Sequence, residues 1–481
     1  MEINRRNFIK SIGITGAAGV VTVPLTVKAE GMMTNKLCIA VDTVDELITD
    51  LRSVSDTIIV KDIDRGGIFI YDSTQSDINN GGTIFDGWVR QYEKNEINVK
   101  WFDVKCDGET DDTEKLNALI KTISDNTTII INGVCLVSSV AINLRNRKNI
   151  KFIGNGKFIS SFSRDYFFMI HQCENIEISG LSFSTIFENK VWFDSDMLGA
   201  RAIRILESKN VKITACNFSN IPFVGIVSFN SNDVNVSNNY FENMGGNCFS
   251  SDGNLSRGFV FNNNIVRGCY DSFVGTHQAK DITISGNTLY KQGSSSRILG
   301  NRGYGIDIAG GQNVTITGNN IEASFENKPD SYQTGLCINI HKYLGTQAEN
   351  ITVTGNVIKY GNGIVLAEGV DMAIISNNTF LECETALTIK DGVKNLNISN
   401  NFFNKSNLIA IKGDVGVNKE NIKITNNTIK NSQDYNITIF PKEGYTNLLI
   451  KDNDMGEAKN YYDLSDTSYV FNNSFEELAK P

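Results

Sequence analysis

From residue 149 onward one short pattern recurs, and its length restricts the fold more than any other feature. Asn or Asp is followed by apolar, polar, apolar and small polar residues, then by Gly-Asn or Asn-Asn. Clear copies are Asp233-Val234-Asn235-Val236-Ser237-Asn238-Asn239, Asp281-Ile282-Thr283-Ile284-Ser285-Gly286-Asn287 and Asn313-Val314-Thr315-Ile316-Thr317-Gly318-Asn319. Later copies start at Asn350, Met372, Asn395, Asn421 and Asn447, in steps of 22, 23, 26 and 26 residues. Earlier ones start at Asn149, Asn175 and Asn210. A weaker copy, Gly258-Phe259-Val260-Phe261-Asn262-Asn263, divides the long step from Asp233 to Asp281.

Apolar residues at every second position make a strand with one buried face. The Gly/Asn pair accepts positive φ and turns the chain into the next strand. A unit of about 23 residues cannot close a core alone, whereas copies stacked in parallel at about 4.8 Å share a continuous one. Asn at repeated positions then stacks into side-chain ladders. The Leu and Asn pattern of leucine-rich repeats is absent, and a propeller blade needs about 40 residues. The β-branched content favours coils made only of strands, and parallel crossovers prefer the right hand. The pattern predicts an all-β chain, a single-stranded right-handed parallel β-helix of about a dozen coils.

With 41% hydrophobic and 21% charged residues, the chain can bury a substantial core. A net charge of -9 lacks the basic surplus that phosphate binding needs, so no nucleic-acid partner is expected. The nine Cys are odd in number and sit in apolar runs such as Ala215-Cys216-Asn217-Phe218, where they read as small core residues. No Cys-x-x-Cys or His/Cys spacing marks a metal site. At the amino terminus, Asn4-Arg5-Arg6-Asn7-Phe8-Ile9-Lys10 precedes an apolar stretch from Ser11 to Val23, and Val27-Lys28-Ala29 offers small residues for cleavage. This resembles a twin-arginine export signal over residues 1–29 and implies a periplasmic or secreted protein beginning near Glu30. The apolar stretch is too short to span a bilayer, so no stable membrane anchor is expected after signal removal.

Ahead of the repeats lie Arg65-Gly66-Gly67-Ile68-Phe69-Ile70-Tyr71-Asp72, Asn79-Asn80-Gly81-Gly82-Thr83 and Val99-Lys100-Trp101-Phe102-Asp103-Val104-Lys105-Cys106-Asp107-Gly108-Glu109-Thr110-Asp111-Asp112-Thr113. These segments resemble the opening of the pectate-lyase-like superfamily, especially bacteriophage tailspike depolymerases and their bacterial relatives. Cys106 stands where those relatives usually carry Gly. The resemblance implies a cap region over 30–98, a β-helix over 99–481, and a capping helix from about Asp112 to Ser124. It also implies a long acidic polysaccharide that is bound and cleaved, and a homotrimer, since tailspike relatives are commonly trimers. No cofactor or metal is expected; calcium is allowed but unsupported by any residue pattern. Asp107, Asp111 and Asp112 imitate a paired-carboxylate site, yet at a turn and a helix start they read as turn formers and caps.

Steps longer than the simple coil must leave the solenoid as loops, where binding residues gather over a rigid scaffold. The excess falls at 184–203, 291–304 and 323–348, with irregularity at 244–256. These stretches and their edges hold Trp192, Phe193, Tyr304, Tyr332 and Tyr343 for stacking on sugar rings, and Arg201, Arg204, Arg297 and Arg302 for carboxylates. Aligning the strand ahead of each repeat sets Val274-Gly275-Thr276-His277 beside Ile306-Asp307-Ile308-Ala309 and Ile338-Asn339-Ile340-His341. Gly275, Asp307 and Asn339 then form one outward row and His277, Ala309 and His341 the next. Two of the chain's three His thus flank an Asp. The candidate catalytic residues are Asp307, His277, His341, Asp252 and Asp271. The candidate substrate-binding residues are Arg204, Arg302, Tyr304, Tyr332, Asn339 and Trp192.

Two cleavage chemistries fit these residue types. β-Elimination needs a cation on the uronate carboxylate, a base for the neighbouring proton and an acid for the leaving oxygen. Hydrolysis needs two carboxyl groups flanking the bond, and Asp252, Asp271 and Asp307 are available. An epimerase or a non-catalytic glycan-binding adhesin uses the same scaffold, so fold alone does not choose.

Overall fold

A computed structural model describes residues 38–48, 55–93, 95–161, 165–186, 201–269, 271–292, 304–322, 336–406, 409–411, 419–431, 435–439, 445–455, 459–462 and 468–471. The export signal read from the sequence lies outside them. The chain divides into two compact units, residues 1–94 with 99–103, and residues 95–98 with 104–481. The smaller unit holds a five-stranded sheet in the order Cys38–Val41, Thr57–Val60, Gly67–Tyr71, Trp88–Gln91 and Ile84–Phe85. Val41, Val44, Leu47, Ile58, Val60, Phe69, Phe85 and Trp88 form its core. Buried Arg90 stacks on Phe69 and Trp101 and donates to the carbonyls of Arg65, Gly66 and Gly82, so its charge is used to tie loops together.

The larger unit is a parallel β-helix. Among the described residues its strands form three long sheets of 13, 15 and 14 strands, each running coil by coil along the chain. The first sheet starts at Ile142–Arg145, the second at Glu96–Asn98 and the third at Asp107–Asp111. Each sequence repeat is a strand of the second sheet, with its alternate apolar residues inside: Val236, Phe261, Ile284, Ile316, Val353 and Ile375 lie one above another and are fully or almost fully buried. In the third sheet Phe158, Phe183, Phe218 and Phe241 stack inward with ring centroids 5.6, 5.1 and 4.8 Å apart. Stacked aromatic pairs add about 0.5–1.5 kcal/mol each beyond their burial.

The Gly-Asn and Asn-Asn pairs do two jobs. The first residue takes the left-handed conformation, as at Gly286, Gly318, Gly355, Asn377 and Asn400. The second turns inward and is buried: Asn239, Asn264, Asn287, Asn319, Asn356, Asn378, Asn401, Asn427 and Asn453 form one continuous amide ladder. Outside, the Asn that opens each repeat makes a second ladder, for example Asn210 to Asn175 to Asn149 to Asn126.

A single α-helix, α1 (Thr113–Thr122), lies among the described residues, shorter at both ends than expected. Asp111 rather than Asp112 supplies its side-chain cap, accepting from the Thr113 amide and hydroxyl. Asp112 faces back and accepts from the amides of Lys105 and Cys106, while Asp107 closes its own turn onto Glu109 and Thr110. All three carboxylates are structural.

Candidate functional site

Four adjacent strands of the first sheet, Phe249–Asp252, Val274–His277, Tyr304–Ala309 and Leu336–His341, carry most of the candidate catalytic residues. Strand pairing sets Gly275 opposite Asp307 and Asp307 opposite Asn339; it also sets His277 opposite Ala309 and Ala309 opposite His341. These are the rows read from the sequence. The histidine row runs one coil further to Asp252, and then through Phe229 and Leu206 to His171, so all three His of the chain share it. The stretch 244–256, expected to be irregular, contains the strand Phe249–Asp252, which is why that adjacency was hidden. Its spacing of 25 residues to His277 was the available signal.

Neighbouring coils are about 4.8 Å apart, so outward side chains in adjacent rows reach one another. The Asp252 carboxylate takes one hydrogen bond from His277 Nδ1 and another from the Ser250 hydroxyl. Asp307 Oδ1 accepts from Asn339 Nδ2 at 2.8 Å and faces His341 Nε2 at 3.3 Å. His341 Nδ1 lies 2.7 Å from the Lys342 carbonyl, which can only accept, so Nδ1 carries a proton. With Asp307 on its other nitrogen, His341 is held toward the doubly protonated form. Asp307 Oδ2 has no hydrogen-bond partner among the described residues.

A tight hairpin covers His277. Tyr343 and Thr346 bond each other backbone to backbone at 2.9 Å, and the two residues between them, Leu344 and Gly345, have φ of +46° and +81°. Two positive φ values in a two-residue turn match the twist of a hairpin. The Gln278 amide reaches the Thr346 hydroxyl at 2.8 Å, and the Tyr343 ring comes to rest 4.8 Å from the His277 ring. Tyr343 is expected on a loop; its tilted contact with the His277 ring has no sequence signal.

The charges in this cluster perturb one another. Asp252 raises His277 above the ordinary imidazole range through its hydrogen bond, against the opposing effect of burial, with Asp307 and Asp271 adding to the rise. Asp307 does the same for His341. Asp271, half-buried in the turn before Val274–His277, is raised by burial and then by the negative charge of Asp307. One carboxyl is thereby held toward its neutral form beside another oxygen that is free to accept.

Arg204 lies on the same sheet, four coils from Asp307 in the same row, or about 19 Å at 4.8 Å per coil. Contrary to the loop expectation, Arg201 and Arg204 belong to the strand Arg201–Leu206. Both guanidinium groups lie over the Tyr166 ring, and Arg201 also covers Phe223. Arg204 has no carboxylate partner among the described residues. Tyr304 opens the strand Tyr304–Ala309, opposite Leu336 of the next coil. Asn339 acts by holding Asp307. Trp192, Phe193, Arg297, Arg302 and Tyr332 lie outside the described residues.

The family model described as "Right handed beta helix region" matches residues 291–475, and the one described as "Periplasmic copper-binding protein (NosD)" matches residues 163–342. Among the described residues, the one group of three neighbouring His, Cys, Asp or Glu donors is Cys106, Asp112 and Cys135, outside the second span. His277 and His341 each engage a carboxylate and no third donor joins them, so the described residues in that span do not fit a copper centre. No curated protein sequence matches the chain. Among solved structures it is similar to tailspike protein 3 of bacteriophage CBA120, with 15% identity, a TM-score of 0.52, and coverage of 82% of this chain and 64% of that one. It is also similar to the A-module of a mannuronan C-5 epimerase from Azotobacter vinelandii (13% identity, TM-score 0.48, 80% and 100% covered). An exopolygalacturonase from Thermotoga maritima gives 12% identity and a TM-score of 0.42, with 80% and 91% covered. With its stacked sheets, amide ladder and matched helix region, the chain is a right-handed parallel β-helix.

Proposed function

We propose that this protein is an exported enzyme that hydrolyses glycosidic bonds in a long acidic polysaccharide lying along its first sheet. The observation that carries the reading is the convergence, on one outward face, of two imidazole–carboxylate pairs and a third carboxyl with a different protonation tendency. Glycoside hydrolysis needs one carboxyl that is neutral and one that is ionised. Asp271 is the proton donor to the leaving oxygen. Asp307, oriented by Asn339 and His341, acts as base or nucleophile. Protonated His277, held by Asp252 and covered by Tyr343, contributes positive charge and keeps the second carboxylate from adding to the first. The guanidinium of Arg204, which lies over the Tyr166 ring and has no carboxylate partner among the described residues, and the exposed ring of Phe229 extend the bound polymer toward the amino-terminal coils. The resemblance of the opening segment to tailspike depolymerases supports a polysaccharide substrate, and the name of the NosD family supports a periplasmic location. A homotrimer belongs to the same reading and is tested by light scattering.

A panel of acidic glycans, followed for new reducing ends and for unsaturated uronate absorbance, tests the activity. The expected result is reducing ends without unsaturated product, lost in Asp307→Asn and in Asp271→Asn. Absence of cleavage on every glycan, or cleavage that survives both substitutions, refutes it. The tilted packing of the Tyr343 ring against His277 favours one second reading, β-elimination with these two as base and acid, for which unsaturated product is the signature.

A further inference from the structure

The sulfur atoms of Cys106 and Cys135 lie 2.6 Å apart. Cys106 directly precedes the strand Asp107–Asp111, and Cys135 lies in the adjoining strand Val134–Val137, where Val134 N–H donates to the Cys106 carbonyl at 2.9 Å. The local backbone is shaped around this contact. Cys106 has φ of +46°, a left-handed conformation that disfavours any residue with a Cβ. Gly133, with φ of +90°, passes so close that a Cβ there would stand 2.6 Å from the Cys106 carbonyl oxygen and 3.1 Å from its Cβ. A cysteine in a conformation suited to glycine faces a glycine that makes room for it.

Asp112 completes a buried trio, and a metal ion is the competing occupant. Two thiolates binding one ion tetrahedrally at about 2.3 Å each hold their sulfurs about 3.8 Å apart, which these two are not. The Asp112 oxygens are already engaged by the amides of Lys105 and Cys106. We propose that Cys106 and Cys135 form a disulfide once the protein meets an oxidising compartment, stapling the segment that opens the β-helix to the coil beside it.

Cys106 is 6% exposed and Cys135 fully buried, which sets the order of events. The Cys106 thiolate attacks an oxidising small-molecule or protein disulfide, releasing one thiol and forming a mixed disulfide. The Cys135 thiolate then displaces the second thiol. Two electrons and two protons leave the cysteine pair, and the oxidant becomes two thiols.

The test is peptide mapping of the full-length wild-type protein after incubation with oxidised glutathione, alkylation under denaturing conditions and digestion without reductant. A peptide pair joined through Cys106 and Cys135, two hydrogens lighter than its parts, is expected. Cys216 and Cys383, whose thiols burial pushes up to about 12, are expected to be alkylated. Complete alkylation of both Cys106 and Cys135 overturns the proposal. So does a stoichiometric metal ion whose chelation is required before they alkylate. Cys106→Gly, which suits the left-handed backbone, is expected to fold and to leave Cys135 fully alkylated; a cross-link from Cys135 to another cysteine in that variant also overturns it.

Discussion

Removing one amide from the middle of the buried ladder is expected to cost measurably more than removing the amide at its first rung. Asn319 Oδ1 accepts two hydrogen bonds from Asn287, one from its backbone N–H at 3.0 Å and one from its side-chain amide at 2.9 Å. Asn319→Ala leaves both donors buried without an acceptor. An orphaned buried donor costs about 1–3 kcal/mol, so the sum is about 2–6 kcal/mol. At the first rung, Asn239 Oδ1 accepts only from the Cys216 N–H, at 2.9 Å. Asn239→Ala therefore orphans one donor, for about 1–3 kcal/mol. The two variants lose matching outgoing bonds, each to one carbonyl and one ladder oxygen, so their difference isolates a single buried amide hydrogen. Urea unfolding followed by circular dichroism, with unchanged m-value as the condition, measures both. An isosteric control sharpens the result. Asn319→Asp keeps the acceptor but puts one oxygen in place of Nδ2, facing the Ile284 carbonyl and Asn356 Oδ1, each 2.9 Å away, and is expected to be worse than Ala. Equal losses for Asn319→Ala and Asn239→Ala, or an Asp variant as stable as wild type, would refute the reasoning.

Three further outcomes follow from the geometry. His277 and His341 bind protons more tightly when folded, so their pairs stabilise the fold fully below the unfolded imidazole value of about 6.5 and lose that contribution as pH rises through the raised folded values. The melting temperature of wild type should therefore fall more steeply above neutrality than that of the double variant His277→Gln, His341→Gln; parallel profiles would contradict it. A Cβ added at Gly345 would meet nothing within 4 Å, but φ there is +81°, so Gly345→Val strains the hairpin alone. It should lower turnover by moving Tyr343 while leaving the global unfolding midpoint within about 1 kcal/mol of wild type. Closing a loop between residues 29 apart removes about 3–4 kcal/mol of unfolded-state entropy in the chain model, an upper bound on the stability that reduction of a Cys106–Cys135 disulfide should cost in calorimetry.

The coils were legible because every coil restates the same instruction. A strand such as Asp281-Ile282-Thr283-Ile284-Ser285 has one way to bury Ile282 and Ile284, and its neighbours at Asn313 and Gly258 impose the same register. That redundancy also exposed the rows of Asp307 and His277, since equal distance to the following repeat fixes which residues stand side by side. Legibility ended where spacing ceased to be regular. Asp252 pairs with His277 across a step interrupted by the turn Gly253-Asn254-Leu255, and the Tyr343 hairpin depends on positive φ at Leu344, a residue with no preference for it. The five-stranded amino-terminal sheet was not foreseen because each of its strands occurs once, so no second copy could corroborate its pattern.

The same redundancy explains why chemistry can be added to this fold at small structural cost. Inward positions are fixed by the stack: Ile306 and Ile308 sit over Val274 and Thr276, and changing either breaks the core of the coils on both sides. The outward position between them, Asp307, is partly exposed and carries no such obligation. Asp307 replaces Gly275 of the previous coil and is followed by Asn339 in the next, so three unlike side chains occupy one row without altering a backbone bond. A charged group placed in such a row meets its neighbours at about 4.8 Å whatever they are, close enough for an imidazole to pair with a carboxylate one coil away. Ala309 stands between the levels of His277 and His341, and its small side chain leaves the space in which Asp307 reaches His341. Ala309 is itself fully buried, so Ala309→Leu should overpack the site at a cost of about 1–3 kcal/mol and should also abolish the raised His341 titration in an NMR pH series. A His341 titration unchanged by the bulkier residue would show that the row spacing does not govern the pair.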